Sequence, residues 1–329
     1  MTDKKPLIKP KQGTSTPEKK PDANVKIENP SLLDQPVYLM CFPHTWDTDD
    51  PNNVWMQGMS QEEIDEDFQK AYQQWGGLYN MLAGEASMVH ILPSPGDYPD
   101  GVYCANVGII LCHQKEPVAV VANFQSPPRK GEEDVAEVYF DLCGYDVHRP
   151  PTTWEGEADL KHVRDNIYVG GYGIRTDPKS YDWFAKKFDM EIVRVKMTND
   201  KLYHFDCNFF PLTTDKALVC TDGMDKAEVK QIEKVCEIIP VPLRMACAGA
   251  CNCVRTVNLL LCASSLASLD RDSKEWDEEK DKETFLEKIA VKNGLEFCPV
   301  NLSEFEKSGA ALSCLVLHIN RAAYAQPVT

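Results

Sequence analysis

Polar residues recur about every fifty positions inside otherwise apolar stretches of this 329-residue chain. Asn106 lies 53 residues after Asn53, and Glu155 lies a further 49 residues along the chain. His204 follows after 49 more residues and Cys314 after another 110, which is about two such steps with a small insertion. A closed ring of repeats supplies one residue per repeat to its central channel. The spacing therefore predicts a ring of modules around a polar site.

Strand and helix patterns alternate along the chain in a ββαβ order. Short apolar runs predict strands in PVYLMCFP, SMVHILPS, GVYCANVGIILCH, PVAVVANF, LYHFDCNFFPL and ALSCLVLHI. Amphipathic periods predict helices in SQEEIDEDFQKAYQQWGGLYNML, EEDVAEVYFDLCGYDV, KSYDWFAKKFDM and DKETFLEKIAVKNG. Ser60 with Glu63 predicts a capping box for the first helix, and the second is expected to end at Gly144.

Several site types are excluded by missing motifs. No G-x-G-x-x-G follows the first predicted strand, and no G-x-x-x-x-G-K-[ST] phosphate loop occurs. Cys247, Cys251 and Cys253 lie close together, but no second cysteine or histidine pair follows at zinc spacing. We expect these three residues to be small buried thiols and not metal ligands.

Charge and composition limit the partners and the cellular compartment. The formal net charge of −16 disfavours nucleic acids and anionic membranes as partners, because both require clustered Lys and Arg. No apolar run reaches the roughly 18 residues that a membrane span needs. The start of the chain lacks the apolar segment of a secretory signal, and the 13 cysteines are an odd number. We therefore expect a cytoplasmic protein with reduced thiols, and we leave a homo-oligomer open.

The polar residues suggest chemistry when they are taken together. Each alone is more often a hydrogen-bonded structural group than a catalytic one. A thiolate at Cys314, a proton-transferring His204 and a carboxylate at Glu155 suit nucleophilic catalysis. Asp206 lies on the same face of a predicted strand as His204 and suits bidentate binding of a guanidinium group. The set predicts a cysteine-dependent hydrolase that acts on an amidine.

Six segments resemble motifs of the guanidino-group modifying enzymes, the pentein superfamily. These segments are YLMCFPHTWDTDDPNNVWM, PDGVYCANVGII, WEGEADL, YGIRTD, YHFDCNFFPL and LSEFEKSGAALSCLVL. They occur in the family's order between about residues 37 and 319, and they are most similar to the arginine dihydrolase group found in cyanobacteria. The resemblance implies an α/β fold, a five-bladed pseudo-symmetric propeller of ββαβ modules with the site in its central channel.

The resemblance also implies roles for the acidic and nucleophilic residues. Cys314 would attack the guanidinium carbon to form a covalent S-alkylthiouronium intermediate. His204 would act as the general acid and base. Glu155 and Asp206 would bind the guanidinium group and orient His204. No metal or organic cofactor is implied, and the partner would be a small arginine-like molecule.

Further binding residues follow from the same likeness. Arg175, with Arg129 as a second candidate, would hold the substrate α-carboxylate. Asn53 and Asn106 are similar to residues of the dihydrolase group, which releases two ammonia molecules and CO₂ and leaves ornithine. The chain departs from the family at Ala310, where a glycine is usual. An arginine deiminase, a dimethylarginine dimethylaminohydrolase, an amidinotransferase and a non-catalytic binding module of the same fold remain alternatives.

The first 32 residues differ from the remainder of the chain. They are rich in Lys, Pro, Thr and Asp and show no apolar period. Such a composition predicts a disordered tail. We expect residues 33–329 to form a single catalytic domain.

Overall fold

The computed structural model describes residues 29–48, 53–58, 60, 67–85, 87–93 and 98–325. In chain order the strands are β1 (Val37–Cys41), β2 (Met88–Leu92), β3 (Gly108–Ile110), β4 (Val118–Val121), β5 (Asp146–His148), β6 (Leu160–Arg164), β7 (Ile167–Tyr172), β8 (Glu191–Lys196), β9 (Phe209–Pro211), β10 (Lys216–Val219), β11 (Glu237–Pro240), β12 (Cys253–Arg255), β13 (Leu259–Ser264), β14 (Glu296–Asn301) and β15 (Leu317–His318). The α-helices are α1 (Phe68–Gly84), α2 (Glu132–Leu142), α3 (Pro178–Phe188), α4 (Lys226–Val235), α5 (Leu243–Cys247), α6 (Lys274–Lys292), α7 (Ser303–Glu306) and α8 (Ala322–Ala325).

The strands of the described residues form five three-stranded sheets with one shared plan. In each sheet the middle strand pairs antiparallel with a first strand and parallel with an outer strand. A helix connects the middle strand to the outer strand, as parallel pairing requires. The ββαβ module expected from the sequence is therefore confirmed, and so is the five-module α/β architecture.

The first module is assembled from both ends of the described chain. Its middle strand β1 pairs parallel with β2 and antiparallel with β15, in the register Tyr38↔His318 and Leu39↔Leu317. The buried Asn320 side chain extends this junction. It donates to the carbonyls of Leu33 and Gln35 and accepts from the amide of Val37. The last strand thus completes the sheet that the first strand begins.

Helix α3 illustrates how local sequence builds a module. The Asp177 side chain caps its N-terminus, and Pro178 takes the first helical position, where no backbone donor is needed. Tyr181, Phe184 and Phe188 follow at helical spacing, and all three are buried in the apolar cluster against β7. Burial of side chains of this size contributes about 1.5–3 kcal/mol each, so tertiary packing holds the helix in place.

Short 3₁₀ turns precede most of the first strands and occupy positions where we expected strand. They span Cys104–Asn106, Gly156–Ala158, Phe205–Cys207 and Leu312–Leu315. The expected strands in GVYCANVGIILCH, LYHFDCNFFPL and ALSCLVLHI shrink to β3, β9 and β15. His204 and Asp206 consequently do not share a strand face, which corrects that expectation.

Two helices begin at residues other than those expected. Helix α1 begins at Phe68, where the Asp67 side chain accepts from the amide of Lys70, and not at the capping box of Ser60 and Glu63. Residues 61–66 lie outside the described residues. Helix α6 begins at Lys274 and is capped by Ser273, so it includes part of the acidic segment before DKETFLEKIAVKNG. The predicted end of α2 before Gly144 is correct, because Gly144 has φ +81°.

The tail expectation meets the structure at four residues. Pro30–Leu32 form a 3₁₀ turn, and the buried Asn29 donates to the carbonyl of Cys143. Residues 29–32 are therefore held against the fold, in contrast to the expected boundary at residue 32. Residues 1–28 lie outside the described part of the chain, and their disorder stays a prediction.

Candidate active site

Polar side chains from successive modules surround one small cavity. Asn106, His204 and Cys314 line it, together with Asn53 and Arg175. The first three lie in or beside the short turns that precede β3, β9 and β15. The cavity volume is about 20 Å³, which is room for about one water molecule. The ring spacing therefore brings these residues together as expected.

Glu155 holds His204 in place. The His204 Nε2 atom lies 2.9 Å from Glu155 Oε2, and both residues are almost fully buried. Glu155 Oε1 accepts from the backbone amides of Gln125 and Ser126 at 3.1 and 3.4 Å. A carboxylate only accepts hydrogen bonds, so His204 carries a proton on Nε2 and leaves Nδ1 for proton exchange.

The electrostatic surroundings keep Glu155 ionised. Burial alone raises the pKa of a carboxyl group. Here the His204 hydrogen bond and the charges of His204, Arg175 and Arg129 more than offset burial and lower the pKa of Glu155 to about 2. Glu155 is thus a fixed negative charge at neutral pH.

Cys314 lies in the opposite electrostatic situation. Burial, followed by the nearby Asp206 carboxylate, raises the pKa of the Cys314 thiol to about 12. Asp206 Oδ2 lies 3.7 Å from Cys314 Sγ. The residue is therefore a neutral thiol at physiological pH until a positive charge offsets these effects.

Asp206 contacts the cysteine turn and not His204. Its Oδ2 atom accepts from Ser313 Oγ at 2.6 Å in addition to its contact with Cys314. Asp206 is fully buried. The expected orientation of His204 therefore falls to Glu155, while Asp206 supplies negative charge beside the thiol.

The two candidate arginines differ in their contacts. Arg175 Nη1 lies 3.5 Å from Glu155 Oε2, and its guanidinium group lies over the Tyr203 ring at 5.2 Å. Arg129 Nε and Nη2 donate to the buried Glu132, with a closest distance of 2.7 Å. Arg129 Nη2 also donates to the carbonyls of Asp100 and Tyr103.

The contacts of Arg129 follow from local structure. The PPRKGEE segment folds into a 3₁₀ turn that leads into α2, so Arg129 and Glu132 are three residues apart and face each other. Arg129 lines the cavity but already forms a bidentate pair. This contradicts its expected use as a carboxylate ligand and leaves Arg175 as the candidate.

Asn53 reaches the cavity from a different part of its module. It follows β1, whereas Asn106 and His204 precede first strands. Its Nδ2 donates to the carbonyl of Ser308 at 2.9 Å, and its Oδ1 accepts from the amide of Trp55 at 3.0 Å. Asn53 therefore braces the turn before Cys314, and its place at the start of the spacing series is a coincidence of chain length.

Asn252 is the residue that the sequence interpretation missed. It lies immediately before β12 in the fifth module, and its Nδ2 lies 3.5 Å from Cys314 Sγ. It follows His204 by 48 residues, so the spacing already contained the signal. The step of 110 residues from His204 to Cys314 passes over it.

Two other expected features concern metals and membranes. In the described part of the chain, no group of three or more His, Cys, Asp and Glu side chains is placed to hold a metal ion. Cys251 and Cys253 instead pack in an apolar cluster with Leu260 and Cys262, as expected for structural thiols. Among the helices of those residues, none has the length and apolar character that crossing a membrane requires.

Five ββαβ modules that carry polar residues to one shared site define the pentein class of α/β proteins. The sequence pattern of the family described as N,N dimethylarginine dimethylhydrolase, eukaryotic, matches residues 40–321. The chain belongs to this family.

Similar proteins include two bifunctional enzymes. The chain is 29% identical over 287 residues to the bifunctional arginine dihydrolase/ornithine cyclodeaminase AgrE of Nostoc sp., covering 86% of this chain and 37% of that protein. It is 28% identical to the corresponding ArgZ of Synechocystis sp., covering 88% of this chain and 38% of that protein. The chain thus spans less than two fifths of the length of these relatives.

Solved structures agree with the fold. The N-terminal domain of ArgZ, bound to substrate, is similar with a TM-score of 0.74 and 26% identity, covering 87% of this chain and 98% of that one. A dimethylarginine dimethylaminohydrolase adduct with S-methyl-L-thiocitrulline has a TM-score of 0.64 and 16% identity, covering 86% of this chain and 99% of that one, which supports the fold alone.

Proposed function

We propose that this chain hydrolyses the guanidinium group of free arginine to ornithine, CO₂ and two molecules of ammonia. The observation that carries the proposal is the buried His204–Glu155 pair beside the same cavity as Cys314. Similarity to the arginine dihydrolases AgrE and ArgZ supports the choice of reaction. We further propose that residues 33–329 act as one catalytic domain.

The first half of the reaction follows from the site electrostatics. A guanidinium cation beside Asp206 and Glu155 places positive charge near Cys314 Sγ, which lowers the thiol pKa from its raised value. The thiolate attacks the guanidinium carbon, and His204 donates a proton to the nitrogen that leaves as ammonia. The product of this step is the S-alkylthiouronium adduct on Cys314.

The second half uses the same groups in reverse. His204 takes a proton from water, and the resulting hydroxide displaces the sulfur to leave a ureido group. A second attack by Cys314 on that group releases the second ammonia, and hydrolysis of the adduct yields CO₂ and ornithine. Arginine and two water molecules thus balance ornithine, CO₂ and two ammonia molecules.

Asn106 is the residue that we connect with the second attack. Its Nδ2 lies 3.4 Å from the carbonyl oxygen of Glu155 and 3.5 Å from His204 Nδ1. A neutral amide binds a cation less strongly than a carboxylate, and it also hydrogen-bonds a neutral ureido group. We propose that Asn106 retains the ureido intermediate, and that Arg175 holds the α-carboxylate.

The cavity has to widen to admit an arginine-sized ligand, because its volume is about 20 Å³. Hydrolysis of N,N-dimethylarginine is the second candidate, because the matching family carries that description. It requires room for two additional methyl groups around the leaving nitrogen. The small cavity favours the unsubstituted guanidinium group.

The test is identification of products by mass spectrometry after separate incubations with arginine and N,N-dimethylarginine. We expect ornithine from arginine, no ornithine with Cys314→Ser, and normal turnover with the control Cys251→Ala, which alters a core thiol away from the site. Accumulation of citrulline without ornithine overturns the dihydrolase proposal. Undiminished turnover by Cys314→Ser overturns the nucleophile, and preferential release of dimethylamine selects the second candidate.

A further inference from the structure

Asn252 occupies a buried position against the sulfur of Cys314. It is 1% exposed and ends the turn that leads from α5 into β12. Its Oδ1 accepts from the backbone amide of Ser313 at 2.7 Å, and its Nδ2 lies 3.5 Å from Cys314 Sγ. The side chain therefore contacts the nucleophile and its sequence neighbour at the same time.

The contact with Ser313 determines which way the Asn252 amide faces. A backbone N–H is a donor, so only the oxygen of the amide is compatible with a 2.7 Å contact to it. The NH₂ group of Asn252 then faces the sulfur. Asn252 is consequently a fixed hydrogen-bond donor to Cys314 Sγ.

The sulfur lies between two groups with opposite effects. Asp206 Oδ2, 3.7 Å from Sγ, disfavours a thiolate by like-charge repulsion. The Asn252 N–H favours a thiolate, because donors stabilise the charged form that accepts them. Ser313 joins the two, since its Oγ donates to Asp206 Oδ2 while its amide donates to Asn252.

We propose that Asn252 is a further catalytic residue, which stabilises the Cys314 thiolate by direct donation from its side-chain amide. Its place in arginine turnover rests on the function proposed above. The ionisation of the thiol does not, because it can be measured with a simple alkylating reagent. In that reaction the proton leaves Sγ for the buffer, a C–S bond forms, and the C–I bond of iodoacetamide breaks to release iodide.

A purely structural role predicts different behaviour. Asn252 would then serve only to tie the turn before β12 to the turn before β15 through the Ser313 amide. Asn252→Asp separates the two roles, because an aspartate keeps the acceptor for Ser313 but replaces the donor with a charged oxygen. Asn252→Ala removes both contacts.

The experiment measures iodoacetamide alkylation of Cys314 in the full chain across pH, with the modified peptide identified by mass spectrometry. We expect Asn252→Asp to lower the rate at pH 8 by about tenfold or more and to move the rate profile toward higher pH. Asn208→Asp is the matched control, because it introduces the same charge at a buried residue of a neighbouring turn without a contact to Sγ. Its alkylation rate is expected to stay within about threefold of that of the wild type.

Arginine turnover provides the second readout. Asn252 touches the sulfur and neither Glu155 nor Arg175, so its replacement lowers kcat and leaves KM nearly unchanged. If Asn252→Asp does not fold, Asn252→Ala carries the test with the same expected direction. Wild-type alkylation rates in the folded variants overturn the proposal. A normal loss of alkylation together with no arginine turnover in the wild type overturns the proposed function instead.

Discussion

At the scale of single residues, the charge on Cys314 depends on whether a cation is bound. Burial and the Asp206 carboxylate both disfavour a thiolate and raise the Cys314 pKa to about 12. A guanidinium group in contact with Asp206 acts in the opposite direction. The free protein therefore keeps an unreactive thiol, and the nucleophile forms in the presence of its own substrate.

The Asp206→Asn variant separates these two effects. Removing the carboxylate charge lowers the Cys314 pKa, so we expect iodoacetamide to alkylate Cys314 about tenfold faster at pH 8. The same variant binds a cation less well, so kcat/KM for arginine falls by about a hundredfold or more. Both are measured on one preparation. An unchanged alkylation rate contradicts the role of Asp206 charge.

The sequence predicted individual residues unevenly. Cys314, His204 and Glu155 were found because nucleophile, base and carboxylate are chemically distinctive and regularly spaced. Asn252 was missed because a single Asn inside a cysteine-rich turn looks structural. Arg129 was assigned wrongly as a carboxylate ligand, since its partner Glu132 is recognisable only once the PPRKGEE turn is known.

At the scale of elements, the turns before the first strands fix how the site residues meet. Gly156 follows Glu155 with φ +72° and packs against the backbone of Ala105 and Asn106. A side chain here would collide with the carbonyl oxygens of both residues. Two catalytic turns from neighbouring modules thus approach as closely as backbones can, and only glycine permits that approach.

Replacement of Gly156 by alanine tests this packing. We expect the Gly156→Ala variant to lose about 2–4 kcal/mol of unfolding free energy, from backbone strain and collision with Ala105 and Asn106. Gly144→Ala is the matched control, because Gly144 has φ +81° but no atom near its missing Cβ. The control should lose only about 1 kcal/mol in urea denaturation. Equal losses in the two variants contradict the close approach.

Helices and middle strands were predicted better than the catalytic turns. Helices α2 and α3 carry caps, glycine ends and a clear apolar period, and these are local signals. The stretch LYHFDCNFFPL alternates like a strand, yet its first half is a 3₁₀ turn because contacts from other modules satisfy its polar groups. The amide of Phe205, for example, donates to Asp159 Oδ1 at 3.0 Å. Such partners lie too far away in the sequence to be predicted.

At the scale of the whole molecule, Asn320 connects strands that are remote in the chain. Its four hydrogen bonds join the segment after β15 to residues around β1. Asn320→Ala leaves several of these buried backbone groups unsatisfied, so we expect a loss of about 2–4 kcal/mol and a parallel loss of arginine turnover. Thermal unfolding and activity assays measure both.

A matched control for Asn320 is Asn166→Ala. Asn166 Nδ2 also donates to a backbone carbonyl, that of Asp189 at 2.7 Å, but this contact lies near the surface and within one module. Its loss should be below about 1 kcal/mol, with turnover retained. A stable and active Asn320→Ala variant would show that β15 is held in the first sheet without this residue.

The pairing of β15 with β1 also has a consequence for the order of synthesis. Strand β1 emerges early from the ribosome, while its antiparallel partner and the nucleophile that precedes it are translated after all four intervening modules. Contacts so distant in sequence form late in folding. The growing polypeptide therefore carries His204 and Glu155 for most of translation without a competent thiol beside them, and guanidino chemistry begins only when the ring of modules has closed.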